Sequence, residues 1–547
     1  MAEPDGPEDR KPPSDEAHSA FTPPLGVPQP PVPEDEQPTS EFAVPEGVST
    51  EAPTPPPSYA QTAMLPPAFT PAEGVPILRL TKEAPWQDRM RTLLRMPVGD
   101  RPLPEIVQRH DVAGPAVPRV LDLTLRIGEL LLAGGEGAED VEAAMFAVSH
   151  AYGLERCEPN VTFTLISISH QPSLVEDPVT ASRVVRRRGT DYTRLSAVFD
   201  LVDDVTNEDE DVTLEEAYRR LAAIRRNRHP YPGWALTAAS GVLAGSAAVL
   251  VGGDFVVFVA ALVGAMLGDR LAWLCAGRGL PEFYQFVVAA MPPAAMGVAL
   301  TLAGPALSWD GKPSAVITGG LFALLPGRAL VAGVQDGLTG YYITAAARLL
   351  EVMYFFIAIV IGVLIVLYVG VQLNAELNPE SSAPVAEGRP LVQILVSVTL
   401  SLAFAVLLQQ ERRTVLMVAL NGGVAWIVYA AMHDTAKISP VASTAVAAGL
   451  VGLFGQLFSR YQFSSALPYV TAAIGPLLPG SATYFGLLGI AYNELDHGLA
   501  SLSKAVALAL AIAVGVNLGG EISRLFLKAP GATRGSARRA AKRTRGF

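Results

Sequence analysis

Ten apolar stretches, each near the length of a membrane-crossing helix, follow one another from about residue 232 to about residue 520. They lie near 233–251, 254–272, 283–303, 314–334 and 346–371, then near 391–408, 414–431, 440–458, 466–490 and 501–519. A bilayer core takes roughly 20 apolar residues per helix. A chain with this many such runs has to be a helical polytopic membrane protein. The overall composition agrees, with 50% hydrophobic residues and a mean hydropathy of +0.32.

Basic residues beside the runs set the orientation. Arg219, Arg220, Arg225, Arg226 and Arg228 precede the first run, and RGSARRAAKRTRGF follows the last. Both ends are therefore expected in the cytoplasm, which requires an even number of spans. The turns near GDRLAWLCAGRG, Arg348, QQERRT and Arg460 fall inside on this count. GGDF, NAELNPESSAPVAEGRP and YNELDHG are poor in basic residues and fall outside.

The fourth and ninth runs carry the same interruption, Leu324-Leu325-Pro326-Gly327 and Leu477-Leu478-Pro479-Gly480. Aligned on it without a gap, Thr318 falls on Thr471 and Gly362 on Gly515. With a small shift, FVVAAM at 286–291 lies over TAVAAG at 444–449, and AALVGAML at 260–267 over VALNGGVAW at 418–426. A copied unit of five spans must lie upside down relative to its twin, the plan of many secondary transporters. Proline removes a backbone donor and clashes with the preceding turn, and such breaks persist in lipid only inside protein or beside a cavity. Two breaks of opposite sense would meet near the midplane as a substrate site, whereas a pair of packing kinks is the simpler alternative. The candidate substrate residues are Pro326, Gly327, Arg328, Pro479, Gly480, Ser481, Thr483 and Tyr484.

Arg328 in this setting either grips a substrate carboxylate or snorkels to headgroups. Asp336 and Glu351, at the cytoplasmic side, either carry a coupling proton or sit as solvated loop-end charges. Asn421, Gln456 and Asn517 either line a path or bond between helices.

Seven segments result: a disordered Pro- and acid-rich tail (1–75), a linker with a short amphipathic segment (76–114), a small cytoplasmic α/β domain (115–230), a first five-helix membrane unit (231–372), an extracytoplasmic loop (373–390), a second, inverted five-helix unit (391–520) and a basic cytoplasmic tail (521–547). The N-terminus, MAEPDG, has no basic or apolar region, so no cleaved signal peptide is expected. In the α/β domain, VPRVLDLTLRIGELLLAGG and GAEDVEAAMFAVSHAYGL read as helices, the second with Glu139 and Asp140 in its first turn. CEPNVTFTLISISH reads as one strand, ASRVVRRRG as another, and residues 191–205 as a further helix. TLEE, from Thr213 to Glu216, reads as a capping box. Glu139, Asp140, Glu142, His150, Ser167 and His170 raise the alternative of a membrane-tethered hydrolase, but no nucleophile elbow, zinc-protease motif or phosphate loop accompanies them. Cys157 and Cys275 form neither a disulfide framework nor a metal motif. No catalytic residue, cofactor or metal is expected. The net charge of −11 comes largely from the tail and polar loops and marks no nucleic-acid partner.

LLLAGGEGAEDVEAAMFAVSHAYGLERCEPNVTFTLISIS, RGTDYTRLSAVFDLV, HPYPGW, Gly252-Gly253 and GPLLPGSATYFGLL together resemble the threonine/serine exporter family of actinobacteria over about 115–520. The resemblance implies a multi-pass protein of the bacterial inner membrane with ten spans. It would export L-threonine and L-serine by proton antiport, with threonine, serine, protons and lipid as partners and a homo-oligomer compatible with that role. Relatives split into two chains are linked to dicarboxylate export, which stands as the alternative, together with a passive channel. The family supplies no motif-assigned catalytic residues, and the long acidic tail is not a shared feature.

Overall fold

The computed structural model describes residues 117–526, apart from 155, 174, 186–188, 190, 208–210, 227–229, 310, 376–388, 463–464 and 492–493. The tail, the linker, residues 527–547 of the basic C-terminal segment and Arg228 lie outside the described residues, while residues 521–526 continue the last helix.

Residues 117–226 pair a small sheet with four helices: α1 (Val117–Gly134), α2 (Ala138–Ala151), β1 (Cys157–Val161), β2 (Leu165–His170), β3 (Val179–Val184), α3 (Tyr192–Thr206) and α4 (Leu214–Arg226). The strands are antiparallel in the order β1-β2-β3, with Val161 opposite Ile166 and Ile168 opposite Ala181. The expected single strand over CEPNVTFTLISISH is thus a hairpin. Its turn has no glycine or proline to announce it; Thr162 closes it instead, donating to the Leu165 carbonyl from both N–H and Oγ1, each at 2.8 Å. The capping box is half formed. Thr213 Oγ1 accepts from Glu216 N at 3.3 Å, but the Glu216 carboxylate turns away to Arg219 and Arg220.

The rest of the chain is helical: α5 (Gly233–Leu250), α6 (Phe255–Gly277), α7 (Glu282–Leu307), α8 (Pro313–Phe322), α9 (Gly327–Leu338) and α10 (Tyr342–Gln372), then α11 (Pro390–Leu407), α12 (Arg412–Ala430), α13 (Pro440–Gln462), α14 (Leu467–Thr471), α15 (Gly480–Ala491) and α16 (Leu495–Phe526). Eight of these helices are long and apolar enough to cross a membrane. The fourth and ninth runs are each two shorter helices, α8–α9 and α14–α15, parted at Leu-Leu-Pro-Gly. The protein is a multi-pass helical membrane protein.

The outward faces are apolar. Leu499, Val506, Leu510, Val514 and Leu518 stand exposed at helical spacing on α16, as Leu416 and Leu420 do on α12. A stripe of this kind in water would be an aggregation liability; in a bilayer it is the lipid face. Trp234, Trp273 and Tyr342 are exposed at helix ends, where aromatic rings sit at the membrane–water boundary.

Glycine permits the closest helix approaches. A Cβ on Gly362 (α10) would lie 2.2 Å from the Val287 carbonyl oxygen and 3.0 Å from Ala290 Cβ on α7. One on Gly515 (α16) would lie 2.3 Å from the Ala445 carbonyl oxygen and 3.1 Å from Ala448 Cβ on α13. Small residues at such crossings let backbones pack where no hydrophobic effect operates between helices.

Candidate functional site

The two breaks are built alike. Gly327 N donates to the Leu325 carbonyl at 2.8 Å, and Gly480 N to the Leu478 carbonyl at 2.9 Å, each closing a three-residue turn around its proline. The next helical bonds match as well, Leu330 N to Pro326 O at 3.1 Å and Thr483 N to Pro479 O at 3.0 Å. Upstream, Thr318 Oγ1 donates to Ser314 O at 3.0 Å, and Thr471 Oγ1 to Leu467 O at 2.8 Å.

The breaks also touch each other. A Cβ on Gly327 would lie 2.9 Å from Leu478 Cδ2 of the opposite break, and one on Gly480 would lie 2.0 Å from the Phe322 ring. Two fresh helix N-termini, those of α9 and α15, therefore begin at one junction, each carrying the partial positive charge of its dipole. Of the candidate residues, Gly327 and Gly480 are buried in it, while Pro326, Pro479 and Ser481 are half-buried. The Arg328 side chain lies outside the described residues. Thr483 is buried one turn into α15. Tyr484 packs with Ile317 and Leu321 of α8 and with Ile359 and Val363 of α10, so its ring fills the core across the two halves.

A second polar locus lies at the far end of α9. Asp336 is fully buried there, and its Oδ2 is 3.2 Å from Arg348 Nε of α10. Its Oδ1 accepts from the Ala138 N–H at 2.9 Å. The α2 N-terminus has no side-chain cap of its own, since Gly137 stands at that position, and Asp336 supplies the cap from 198 residues away. Arg348 Nη2 donates to the Glu136 carbonyl at 2.7 Å, and Ser465 Oγ to Glu136 Oε2 at 2.9 Å. Glu136 reaches this position because α1 ends in a Schellman motif. Gly135, at φ 94°, donates to Leu132 O, and Glu136 N donates to Leu131 O. The solvated loop-end alternative for Asp336 is therefore not what the structure shows. Glu351, one helical turn beyond Arg348, is half-buried.

Two further contacts tie residues 117–226 to the apolar helices. The Tyr192 hydroxyl, wholly buried, lies 3.2 Å from Thr471 Oγ1, just before the second break. Glu142 accepts from the Tyr341 hydroxyl at 2.5 Å and from Val161 N at 2.9 Å. Burial pushes the Glu142 carboxyl up to about 7 from its ordinary 4.5, against the pull of Tyr341 and Val161. Between these two values the folded protein holds more protons than the unfolded chain, so stability falls as pH rises through the window and levels off above it. Glu142→Gln should flatten that fall, as read from thermal unfolding in detergent between about pH 4.5 and pH 8.

Arg348, Glu136, Ser465 and Tyr192 are the residues that sequence reasoning missed. The signal for Glu136 was present in AGGEGAED, where an acid flanked by glycines fits no solvated helix face. Cys157 is buried 3.5 Å from His170 Nδ1, and burial pushes its thiol up to about 12, the opposite of what a nucleophile needs. Among the described residues no group of three or more His, Cys, Asp or Glu is placed to hold a metal ion.

Two sequence models of threonine/serine exporters match the chain, one over residues 122–370 and one over 393–521. A "Probable threonine/serine exporter" of Mycobacterium tuberculosis (strain ATCC 25618 / H37Rv) is 35% identical over 412 residues, 73% of this chain and 76% of the relative. A threonine/serine exporter of Corynebacterium glutamicum is 30% identical over 444 residues, 78% of this chain and 86% of the relative. No solved structure matches the chain.

Proposed function

The chain belongs to the threonine/serine exporter family, and we propose that it exports L-threonine and L-serine by proton antiport, with alternating access at the junction of its two broken helices. The observation that carries the site is the reciprocal contact of the breaks, Gly327 on Leu478 and Gly480 on Phe322. The N-termini of α9 and α15 suit a substrate carboxylate. In this reading Pro326, Gly327, Arg328, Pro479, Gly480, Ser481 and Thr483 surround the amino acid. Tyr484 acts from behind as packing, and Asp336 or Glu351 carries the proton.

The architecture we propose is ten spans in two inverted five-helix units, α5–α10 and α11–α16, each counting its broken pair as one span. The matched turns at Pro326 and Pro479 support it, as do the matched glycine crossings at Gly362 and Gly515. With the basic flanks inside, both termini and residues 117–226 lie on the cytoplasmic side of the inner membrane. The contacts of that segment with Asp336, Leu408 and Ser465 all fall on turns or helix ends assigned inside.

Competition in proteoliposomes tests the substrate class. Counterflow of labelled L-threonine should be suppressed by excess L-serine and left intact by succinate. Suppression by succinate instead would move the assignment to dicarboxylates.

A further inference from the structure

The buried cluster at the far end of α9 has no part in the junction of the breaks. Gly327 and Asp336 are nine residues apart, about 14 Å along a helix axis. Buried ion pairs seldom repay their desolvation when compared with apolar residues of the same size, so their presence asks for a reason other than stability. In this one the guanidinium divides its donors, Nε toward Asp336 Oδ2 at 3.2 Å and Nη2 to the Glu136 carbonyl at 2.7 Å. Asp336 Oδ2 makes no hydrogen bond among the described residues.

The remaining partners form a pattern. The Ala138 N–H donates to Asp336 Oδ1, and the Glu136 carbonyl accepts from Arg348 Nη2. One short stretch of main chain thus offers a donor to the acid and an acceptor to the base. A free α-amino acid offers the same pair, its ammonium as donor and its carboxylate as acceptor, with full charges in place of dipoles. Gly135 and Gly137 flank Glu136 and give this main chain wide conformational freedom, and the Glu136 carboxylate is held by the Ser465 hydroxyl.

We propose that Asp336 and Arg348 form a second recognition station for the α-ammonium and α-carboxylate of the transported amino acid, with the Glu136–Ala138 main chain occupying it as an internal mimic. Arriving substrate displaces this roof one hydrogen bond for another, and Glu136, freed from Ser465, adds a second acid beside the ammonium. The station rests on the export reading above. It lies at the inner mouth, in line with α9, and passes substrate along that helix to the breaks.

The test is equilibrium binding of labelled L-threonine to the purified full chain, with L-threoninamide and N-acetyl-L-threonine as competitors lacking one charge each. Wild type should reject both analogues. Arg348→Gln should bind threonine about tenfold more weakly or worse, while its affinity for threoninamide should change little. Asp336→Asn should lose its discrimination against N-acetylthreonine in the same way. Variants that discriminate as wild type does overturn the station. Because unpairing a buried charge can unfold the protein, a second experiment uses Gly137→Cys with Gln335→Cys in a Cys275→Ser background, bridged by a short bis-methanethiosulfonate, since the Gln335 amide lies 3.4 Å from where a Gly137 Cβ would stand. Bridging should abolish threonine binding from the inner side, and reductant should restore it. Unchanged binding in the crosslinked protein also overturns the station. Wild type that neither binds nor carries threonine sinks the export reading and the station with it. Wild-type transport alongside either negative result sinks the station alone.

Discussion

Gly480→Leu should remove most threonine flux, by about tenfold or more, while the protein still reaches the membrane. At Gly480 even a Cβ would sit 2.0 Å from the Phe322 ring of the opposite half. Phe322 is itself buried at the end of α8, so its ring has little room to retreat. Overpacking of this kind costs about 1–3 kcal/mol. In the proposed alternating-access cycle the strain falls on the surface where the two halves would move past each other. Truncating the obstacle should repair it, so Phe322→Ala combined with Gly480→Leu should recover part of the flux. Full transport by the single variant would remove the junction from the mechanism. Loss of both variants from the membrane would reduce the breaks to packing kinks.

Gly362→Leu and Gly515→Leu should lower stability severely and to a similar degree, by about 3 kcal/mol or more each, because side chains there strike a neighbouring backbone. The Val287 carbonyl stands 2.2 Å from the first added Cβ, and the Ala445 carbonyl 2.3 Å from the second. A backbone oxygen inside a packed helix cannot rotate away, so α10 would have to leave α7, and α16 would have to leave α13. Gly277→Ala is the control, since nothing lies within 4 Å of that position. Thermal unfolding of the detergent-solubilised protein gives all three values. A large loss at one glycine and none at the other would count against equivalent halves.

The sequence carried those features whose physics is local or periodic. Apolar runs of bilayer length must be helices, and Leu-Leu-Pro-Gly must interrupt one, so the positions of both breaks were readable from residues 324–327 and 477–480. The match of Gly362 to Gly515 was readable for the same reason, and both glycines now stand at close helix crossings. The hairpin between Val161 and Leu165 was not, because its turn is closed by a threonine hydroxyl where a Gly or Asn signal was expected. The cluster of Glu136, Asp336, Arg348 and Ser465 was hidden for another reason. Its members come from segments up to 329 residues apart, and no spacing rule links them. Its neighbours in sequence make Arg348 a flanking charge, yet it is buried against the Gly134–Gly137 turn. Tyr484, a polar aromatic after a break, reads as a binding residue, and its ring is buried in one apolar cluster with Ile317, Leu321 and Val363.

The most direct measurement is flux of labelled L-threonine in proteoliposomes carrying the purified full chain, with and without an imposed proton gradient. Proton antiport predicts that the gradient drives threonine uphill against its own concentration difference, and that a protonophore collapses the accumulation. Threonine that only equilibrates, at a rate indifferent to the gradient, would contradict it and describe a channel or uniporter.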